Sequence, residues 1–418
     1  MKDEKWIKEQ LLDKFLRYVK IDTKSDPHNS GEIPSTKCQW DLLNMLKSEL
    51  EDLGIHKITL NEHGYLIAVL ESNLKDGEKA PVIGLMAHVD TSPDMSGTDV
   101  KPQIVENYNL ENISLGSEFI LKPDEYPELL KHKGDTIITS DGSTLLGADD
   151  KAGVAEIMTA LLWYKIHPDA PHGEIEIIFT PDEETGRGLD FFDTKWLNAR
   201  CCYTIDGSEL GSIETECFNA AGFEINFKGR VIHPGSARGK LINAVSMAGT
   251  FLSLLPANES PEATDGRYGY YSPMEISGNL DEARLGGILR DFDSKELSRR
   301  IKALEFYGKA VEAKYPGGKV EVKTRIQYKN MFDSISTDPK VIEILEEAVR
   351  KSGITPVNAI IRGGTDGSRL SEKGIPTPNI FTGGHNYHSR FEWASLNTMT
   401  KSSITIINLI ELWSKEKI

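Results

Sequence analysis

The sequence predicts an α/β protein whose largely parallel sheet is flanked by helices and interrupted by an inserted α+β domain with a small antiparallel sheet. Three observations lead there. Helical and extended patterns alternate through the first two hundred residues and return near the C-terminus, the order that builds parallel sheets from strand–helix–strand units. Between 214 and 332 the order becomes strand, helix, two strands, helix, strand, which suits helices laid on one face of an antiparallel sheet. With 418 residues, 39% of them hydrophobic and 27% charged, the chain is long enough for two domains and ordinary in composition for a soluble globular protein.

Each element follows from local patterning. The opening MKDEKWIKEQLLDKFLRYVK sets Trp6, Ile7, Leu11, Phe15, Leu16 and Val19 on one helical stripe, and charges every few residues make it unlike a signal peptide. PVIGLMA (81–87), EIEIIFT (174–180) and CCYTI (201–205) are short apolar runs bounded by turn signals, read as strands buried on both faces. KAGVAEIMTALLWYK, after Asp150, reads as a helix. The stretch 91–141 has few periodic signals and is expected to be a long excursion. In the insertion, FEINFKGRVI, INAVSMAGTFLSLL, YGYYSPMEISGNL, RLGGILRDFD, SKELSRRIKALEFYGKAVEAKY and GKVEVKTRIQY supply the strands and helices in turn. Beyond it, VIEILEEAVRKSG is a helix with a Gly stop, NAIIRGG and TPNIFTGG run from strand into loop, and SLNTMTKSSITIINLIELW closes the chain as a helix. The expected domains are 1–213 with 333–418, and 214–332.

Composition narrows the function. Forty-eight basic against 64 acidic residues give a net charge of -16, which repels phosphate backbones and anionic lipid; with no local basic patch, neither nucleic acid nor membrane is an expected partner. No run reaches the roughly 18 apolar residues of a membrane span. The four cysteines, 38, 201, 202 and 217, form no CxxC pair, and adjacent Cys201 and Cys202 are poorly placed for a disulfide. A reducing cytoplasm is the simplest reading. A homodimer is possible in principle, but no self-complementary surface can be identified in the sequence.

Five acidic or histidine clusters stand just after predicted strands: His88 with Asp90, Asp149 with Asp150, Glu183 with Glu184, Asp206, and His388. Loops at the carboxyl ends of parallel strands converge on one crevice. Carboxylates crowded there raise each other's pKa unless a cation sits among them. Imidazole and carboxylate without thiolate suit Zn²⁺, Co²⁺ or Mn²⁺, and the set is large enough for two ions. Asp149 or Asp150 is the natural bridge between such a pair. Glu183 and Glu184, being adjacent, point different ways, so one can bind metal while the other faces a water. Asp90 can accept from the second nitrogen of the His88 ring and fix its tautomer.

Plainer readings stand beside these. A lone histidine before a turn is more often structural than ligating. Asp149 and Asp150 could cap the following helix, and residues 182–184 could be a solvated charge run. A calcium site would favour oxygen donors and leave His88 and His388 without a purpose. A non-catalytic binding module would have no reason to set a base beside a ligand at Glu183 and Glu184. Gly235 to Lys240 falls one residue short of a phosphate-binding loop. There is no GxSxG elbow and no pattern for a thiol nucleophile, so covalent catalysis is not expected.

Taken together, AHVDTSPD, LLGADDKAG, TPDEETGRG, YTIDG, HPGSARG, ILRDFD and RGGTDGSRLS with FTGGHNYHS resemble the M20 family of dinuclear zinc peptidases, and within it the tripeptide aminopeptidases. The resemblance runs from the first helix to the last. It implies that His88 and Glu184 each bind one of two Zn²⁺ ions, that Asp149 bridges them, and that Asp206 and His388 complete the coordination. It makes Glu183 the catalytic base, Asp90 the residue that orients His88, and the bond from Asp149 to Asp150 a cis peptide. The insertion would be the family's lid, with His233, Asn243 and Arg290 at positions that contact substrate. Arg290 could grip a C-terminal carboxylate and His233 could donate to an oxyanion, with Arg362 and its glycine-rich loop adding donors. His233 as a turn residue before Pro234, and Arg290 as an ion-pair partner of Asp291 or Asp293, are the plainer alternatives. The implied reaction releases the N-terminal residue of a tripeptide by attack of a zinc-bridging water. Dipeptidases, carboxypeptidases and amidohydrolases of the family keep the same metal residues, so only substrates separate these activities.

Overall fold

The computed structural model describes residues 3–29, 31–75, 77–207 and 209–417. It divides into two compact units: Met1–Thr215 with Asp333–Ala359 and Thr365–Ile418, and Glu216–Phe332 with Ile360–Gly364. The five residues 360–364 join the second unit although they lie far along the chain from it, a crossing with no composition shift to mark it.

The first unit is built on an eight-stranded sheet in the order Lys57–Leu60, Leu66–Leu70, Ile175–Thr180, Ile83–His88, Cys201–Gly207, Asn379–Phe381, Ser212–Cys217, Val357–Ile361. Ile175–Thr180, Ile83–His88, Cys201–Gly207 and Asn379–Phe381 run parallel in the middle. Leu66–Leu70 and Ser212–Cys217 flank them antiparallel. The sheet is thus mixed, parallel only where it is covered on both faces. Alternation along the strands supplies both coverings: Leu85, Ile177, Cys201 and Tyr203 join the main core, whereas Met86, Ile178 and Cys202 meet Tyr65, Leu189, Phe192 and Leu370 on the other side.

Three helices dominate the main core. Glu4–Tyr18 buries Ile7, Leu11 and Phe15, Ala148–Ile166 is buried almost all round, and Leu396–Trp413 packs Ile406, Ile407 and Ile410 into the same cluster. The excursion at 91–141 contains short strands, of which Gln103–Val105 and Ile137–Thr139 pair with each other and extend through Trp393–Ser395 to Gly384–His385. These strands of two or three residues are too short to carry a periodic signal.

The second unit is a four-stranded antiparallel sheet in the order Tyr270–Gly278, Glu282–Asp291, Asn219–Lys228, Lys319–Tyr328. Helices Ala244–Leu254 and Ser294–Lys314 give it a core of its own from Met247, Phe251, Leu297, Leu304 and Val311 with Phe223, Ile225 and Phe227 of the sheet. Among the described residues no helix is long and apolar enough to cross a membrane.

Candidate metal centre

All the parallel strands end on one edge, and the acidic clusters stand there. His88 closes the strand Ile83–His88, Asp206 lies at the end of Cys201–Gly207, and Glu183 and Glu184 follow Ile175–Thr180. Asp149 and Asp150 open the helix Ala148–Ile166 but have non-helical backbone, and the peptide between them is cis. Regular helix begins only after them, with the Asp150 carboxylate accepting from the Gly153 N–H at 3.1 Å. The capping alternative therefore holds for Asp150. Its other oxygen accepts the His88 N–H at 3.3 Å.

Asp149 is differently engaged. One of its oxygens is 2.9 Å from His88 Nε2, and the other is 3.5 Å from His388 Nε2. His388 Nε2 also lies 2.8 Å from Glu184, and His88 Nε2 is 3.9 Å from Asp206. Donor atoms of His88, Asp149 and Glu184 fall within 4.8 Å of one another, as do those of His88, Asp150 and Asp206. The five residues named as ligands by resemblance are thus brought together, with Asp149 between two halves. Asp150 is near enough to join but has both oxygens occupied by main-chain N–H groups, which leaves Asp149 the freer of the two to bridge.

The loops are held by other acids. Asp90, fully buried, accepts the N–H groups of both Glu183 and Glu184, at 3.0 and 3.2 Å, and its carboxylate stands 3.3 Å from His88 Nδ1. Asp182 takes the left-handed backbone (φ 56°) that turns the chain after its strand, and accepts from Ser35 N and Oγ and from Gln39 Nε2. His388 is also left-handed, with its Nδ1 3.3 Å from the exposed carboxylate of Asp94. Asp94 is the contribution of the unpatterned 91–141 excursion; sequence reasoning missed it because no motif links it to His388. Buried Asp366, which accepts from Thr180 Oγ1 at 2.6 Å, was likewise missed.

The electrostatics ask for positive charge. Burial, reinforced by Asp150 and Asp149, pushes Asp206 up, and burial with Asp149 pushes Glu184 up to about 7. Burial also drives Glu183 well up, with Asp206, Asp366 and Glu184 adding to the effect. Against the opposing pull of burial, hydrogen bonds to Asp149 and Asp90 hold the His88 imidazolium well above its ordinary range. Hydrogen bonds to Asp149 and Glu184 take His388 to about 11. Only borrowed protons balance so many acids, and one buried oxygen of Glu184 has no hydrogen-bond partner among the described residues. A set of imidazole and carboxylate donors with an orphaned, inward carboxylate oxygen fits divalent metal.

The four residues expected to touch substrate all belong to the second unit. Asn243 caps the helix Ala244–Leu254, its oxygen accepting from Val245 and Ser246. His233 is exposed and accepts from the Gly235 N–H at 3.1 Å, the turn role read as its alternative. One terminal nitrogen of Arg290 donates to Leu289 and Gln327, each at 2.9 Å, and the guanidinium lies over Tyr328. Asp291 pairs with Arg300 instead. The two terminal nitrogens of Arg362 donate to Gly266 O, Tyr268 O and both the carbonyl and the hydroxyl of Thr264, while its plane lies against Phe218 and Tyr270. These bonds hold the Arg362 guanidinium to its own unit, while the main-chain donors of its glycine-rich loop are a separate matter.

An α/β unit presenting histidines and carboxylates at the ends of its parallel strands, with a separately cored antiparallel unit inserted, defines a class of metal-dependent hydrolase fold. The chain belongs to peptidase family M20/M25/M40, whose pattern it matches over residues 140–411. It is 45% identical over 412 residues to peptidase T of Geobacillus thermodenitrificans, covering 98% of this chain and 100% of that one. Two crystal structures share the fold: aminopeptidase PepT from Bacillus cereus (TM-score 0.76, 23% identity, 98% and 99% of the chains covered), and a tripeptidase from Staphylococcus aureus (TM-score 0.78, 22% identity, 98% and 99% covered).

Proposed function

We propose that the protein is a cytoplasmic dinuclear metallo-aminopeptidase that releases the N-terminal residue of short peptides, tripeptides above all. The observation that carries this reading is Asp149, whose two oxygens address two imidazoles from different loops, His88 and His388. His88 and Asp206 would hold one ion, His388 and Glu184 the other, and Asp149 both; Zn²⁺ is the favoured metal, with Co²⁺ or Mn²⁺ as substitutes. Ions held there would polarise the scissile carbonyl and make a water acidic enough to attack it.

The chain's own residues do the rest. Glu183, held by its N–H on Asp90 and with a carboxylate that favours the proton, would take one from the attacking water and return it to the departing amine. Asp90 would keep the His88 ring oriented through Nδ1, which lies 3.1 Å from its main-chain carbonyl and 3.3 Å from its carboxylate. His233, exposed on the second unit, would donate to the developing oxyanion, Asn243 would flank the peptide, and Arg290 would receive its terminal carboxylate. The relatives named peptidase T and the neighbour described as a tripeptidase support the length preference. The cytoplasmic reading is supported by the four cysteines, none of which is joined to another by a disulfide.

The deciding experiment incubates zinc-loaded protein with matched di-, tri- and tetrapeptides and identifies products by mass spectrometry. Free N-terminal residue plus dipeptide, formed fastest from the tripeptide, is expected. Release of the C-terminal residue, or turnover confined to acylated amino acids, would replace this reading with another activity.

A further inference from the structure

We propose that Glu392 is a positioning residue that fixes the main chain at 146–149 so that Asp149 faces both imidazoles; the inference rests on Asp149 being the bridging ligand. Glu392 is buried, 1% exposed, and among the described residues all three hydrogen-bond partners of its side chain are main-chain N–H groups. One oxygen accepts from Leu146 and Gly147, both at 2.8 Å, and the other accepts from Asp149 at 3.1 Å. The loop needs such a partner. Its amides precede the regular helix and receive no helical acceptors, while Gly147 is left-handed (φ 82°) and Asp149 is extended in ψ. Without Glu392, two buried donors and a part-buried third would be orphaned next to the residue whose two oxygens must point in different directions.

The same residue ties two ligand-bearing segments together. Glu392 lies four positions after His388, in a turn closed by its own N–H on Ser389 O at 3.2 Å and by Asn386 Nδ2 on Phe391 O at 3.1 Å. Its side chain therefore couples the turn that aims His388 to the loop that aims Asp149, segments more than two hundred residues apart in sequence. Partners of this kind, one step removed from the metal, typically change metal affinity by about 10- to 100-fold when lost.

The test uses the full chain with Glu392→Gln, which keeps the shape but turns one acceptor into a donor facing N–H groups, and Glu392→Asp, which keeps the charge but is one methylene short. Metal affinity is measured by Co²⁺ titration followed in the visible spectrum, and exchange of the Leu146, Gly147 and Asp149 amides by hydrogen–deuterium exchange. Expected for Gln are at least one Co²⁺ site weakened about 10- to 100-fold, an altered Co²⁺ spectrum, and faster exchange confined to 146–149, with Asp intermediate. Should Gln fail to fold, Asp alone carries the same expectations. Parent-like Co²⁺ affinity and spectrum in the folded variant, even with a lowered melting temperature, would overturn the proposal and leave Glu392 merely structural. Asp149→Asn is the control. If it too binds Co²⁺ like the parent, the bridging reading itself fails; if it loses a site while the Glu392 variants do not, only the positioning role fails.

Discussion

Glu183 and Glu184 share a turn yet differ in what they face, and the proposed division of labour between base and ligand rests on this difference. Glu184 meets His388 at 2.8 Å, whereas no hydrogen bond or ion pair engages the Glu183 carboxylate among the described residues. Glu183→Gln is therefore expected to lower kcat by about 10² to 10⁴, the range for loss of a general base, with metal content by atomic absorption nearly unchanged. Unaltered turnover would remove Glu183 from the reaction. Arg290→Ala should weaken turnover of free tripeptides more than of their C-terminal amides; equal losses would show that the guanidinium does not receive the carboxylate. The gathering of the eight residues of the five clusters was legible because histidines and acids at predicted strand ends have few other uses in combination. Asp94, Asp366 and Glu392 were not, since an acid that lies beside a ring from another segment, or accepts from a distant hydroxyl or backbone N–H, leaves no spacing to read. Nor could the sequence show what the Arg362 guanidinium holds: next to a glycine-rich loop, an arginine bound to Thr264, Gly266 and Tyr268 has the same signature as one that binds a ligand.

At the level of elements, short apolar runs with turn signals identified the central strands, while the flanks were harder. Ser212–Cys217 belongs to the main sheet, but only Phe218 separates it from Asn219–Lys228 of the second unit, so no turn residue marks the passage. The helix Ala148–Ile166 shows how closely elements meet behind the site. A Cβ on Gly153 would collide with Ile205 O and stand 2.6 Å from Asp150 Oδ1. Gly153→Ala is expected to destabilise by about 1–3 kcal/mol or more, as overpacking does, and to weaken metal binding by displacing the strand that carries Asp206; denaturant unfolding and metal titration measure both. Glu214, on Ser212–Cys217 opposite Asn379, supplies a pH-dependent case. Burial pushes its carboxyl from an ordinary 4.5 up to about 7. The stability that goes with the protonated form is complete below 4.5 and is lost as pH rises through 7. Glu214→Gln should thus match the parent near pH 4 and exceed it above pH 7. The excess should reach about 3 kcal/mol, because each pH step between the two values is worth about 1.4 kcal/mol. A difference that grows toward acid would reverse the assignment.

For the whole molecule, the excess of 16 negative charges and the gathering of acids in one unit predict a stability that depends on cations unevenly along the chain. The two units have separate apolar cores, and every proposed ligand lies in the first. So do all six tryptophans, at 6, 40, 163, 196, 393 and 413, which makes intrinsic fluorescence a reporter of that unit alone. An ion bound only by the folded state stabilises it by RT ln(1 + [L]/Kd), about 2.7 kcal/mol when free metal is 100 times Kd. Adding Zn²⁺ or Co²⁺ after chelation should therefore raise the fluorescence-detected melting transition by several degrees, taking about 2–4 °C per kcal/mol for a large domain. Asp149→Asn should lose most of that increment because it removes the shared ligand from both halves. The second unit, whose helices and sheet are seen by far-UV circular dichroism but not by tryptophan, should melt at a temperature that metal does not move. A common rise in both signals would mean that the units unfold as one body, whereas a fluorescence transition indifferent to metal would remove the ions from the centre altogether.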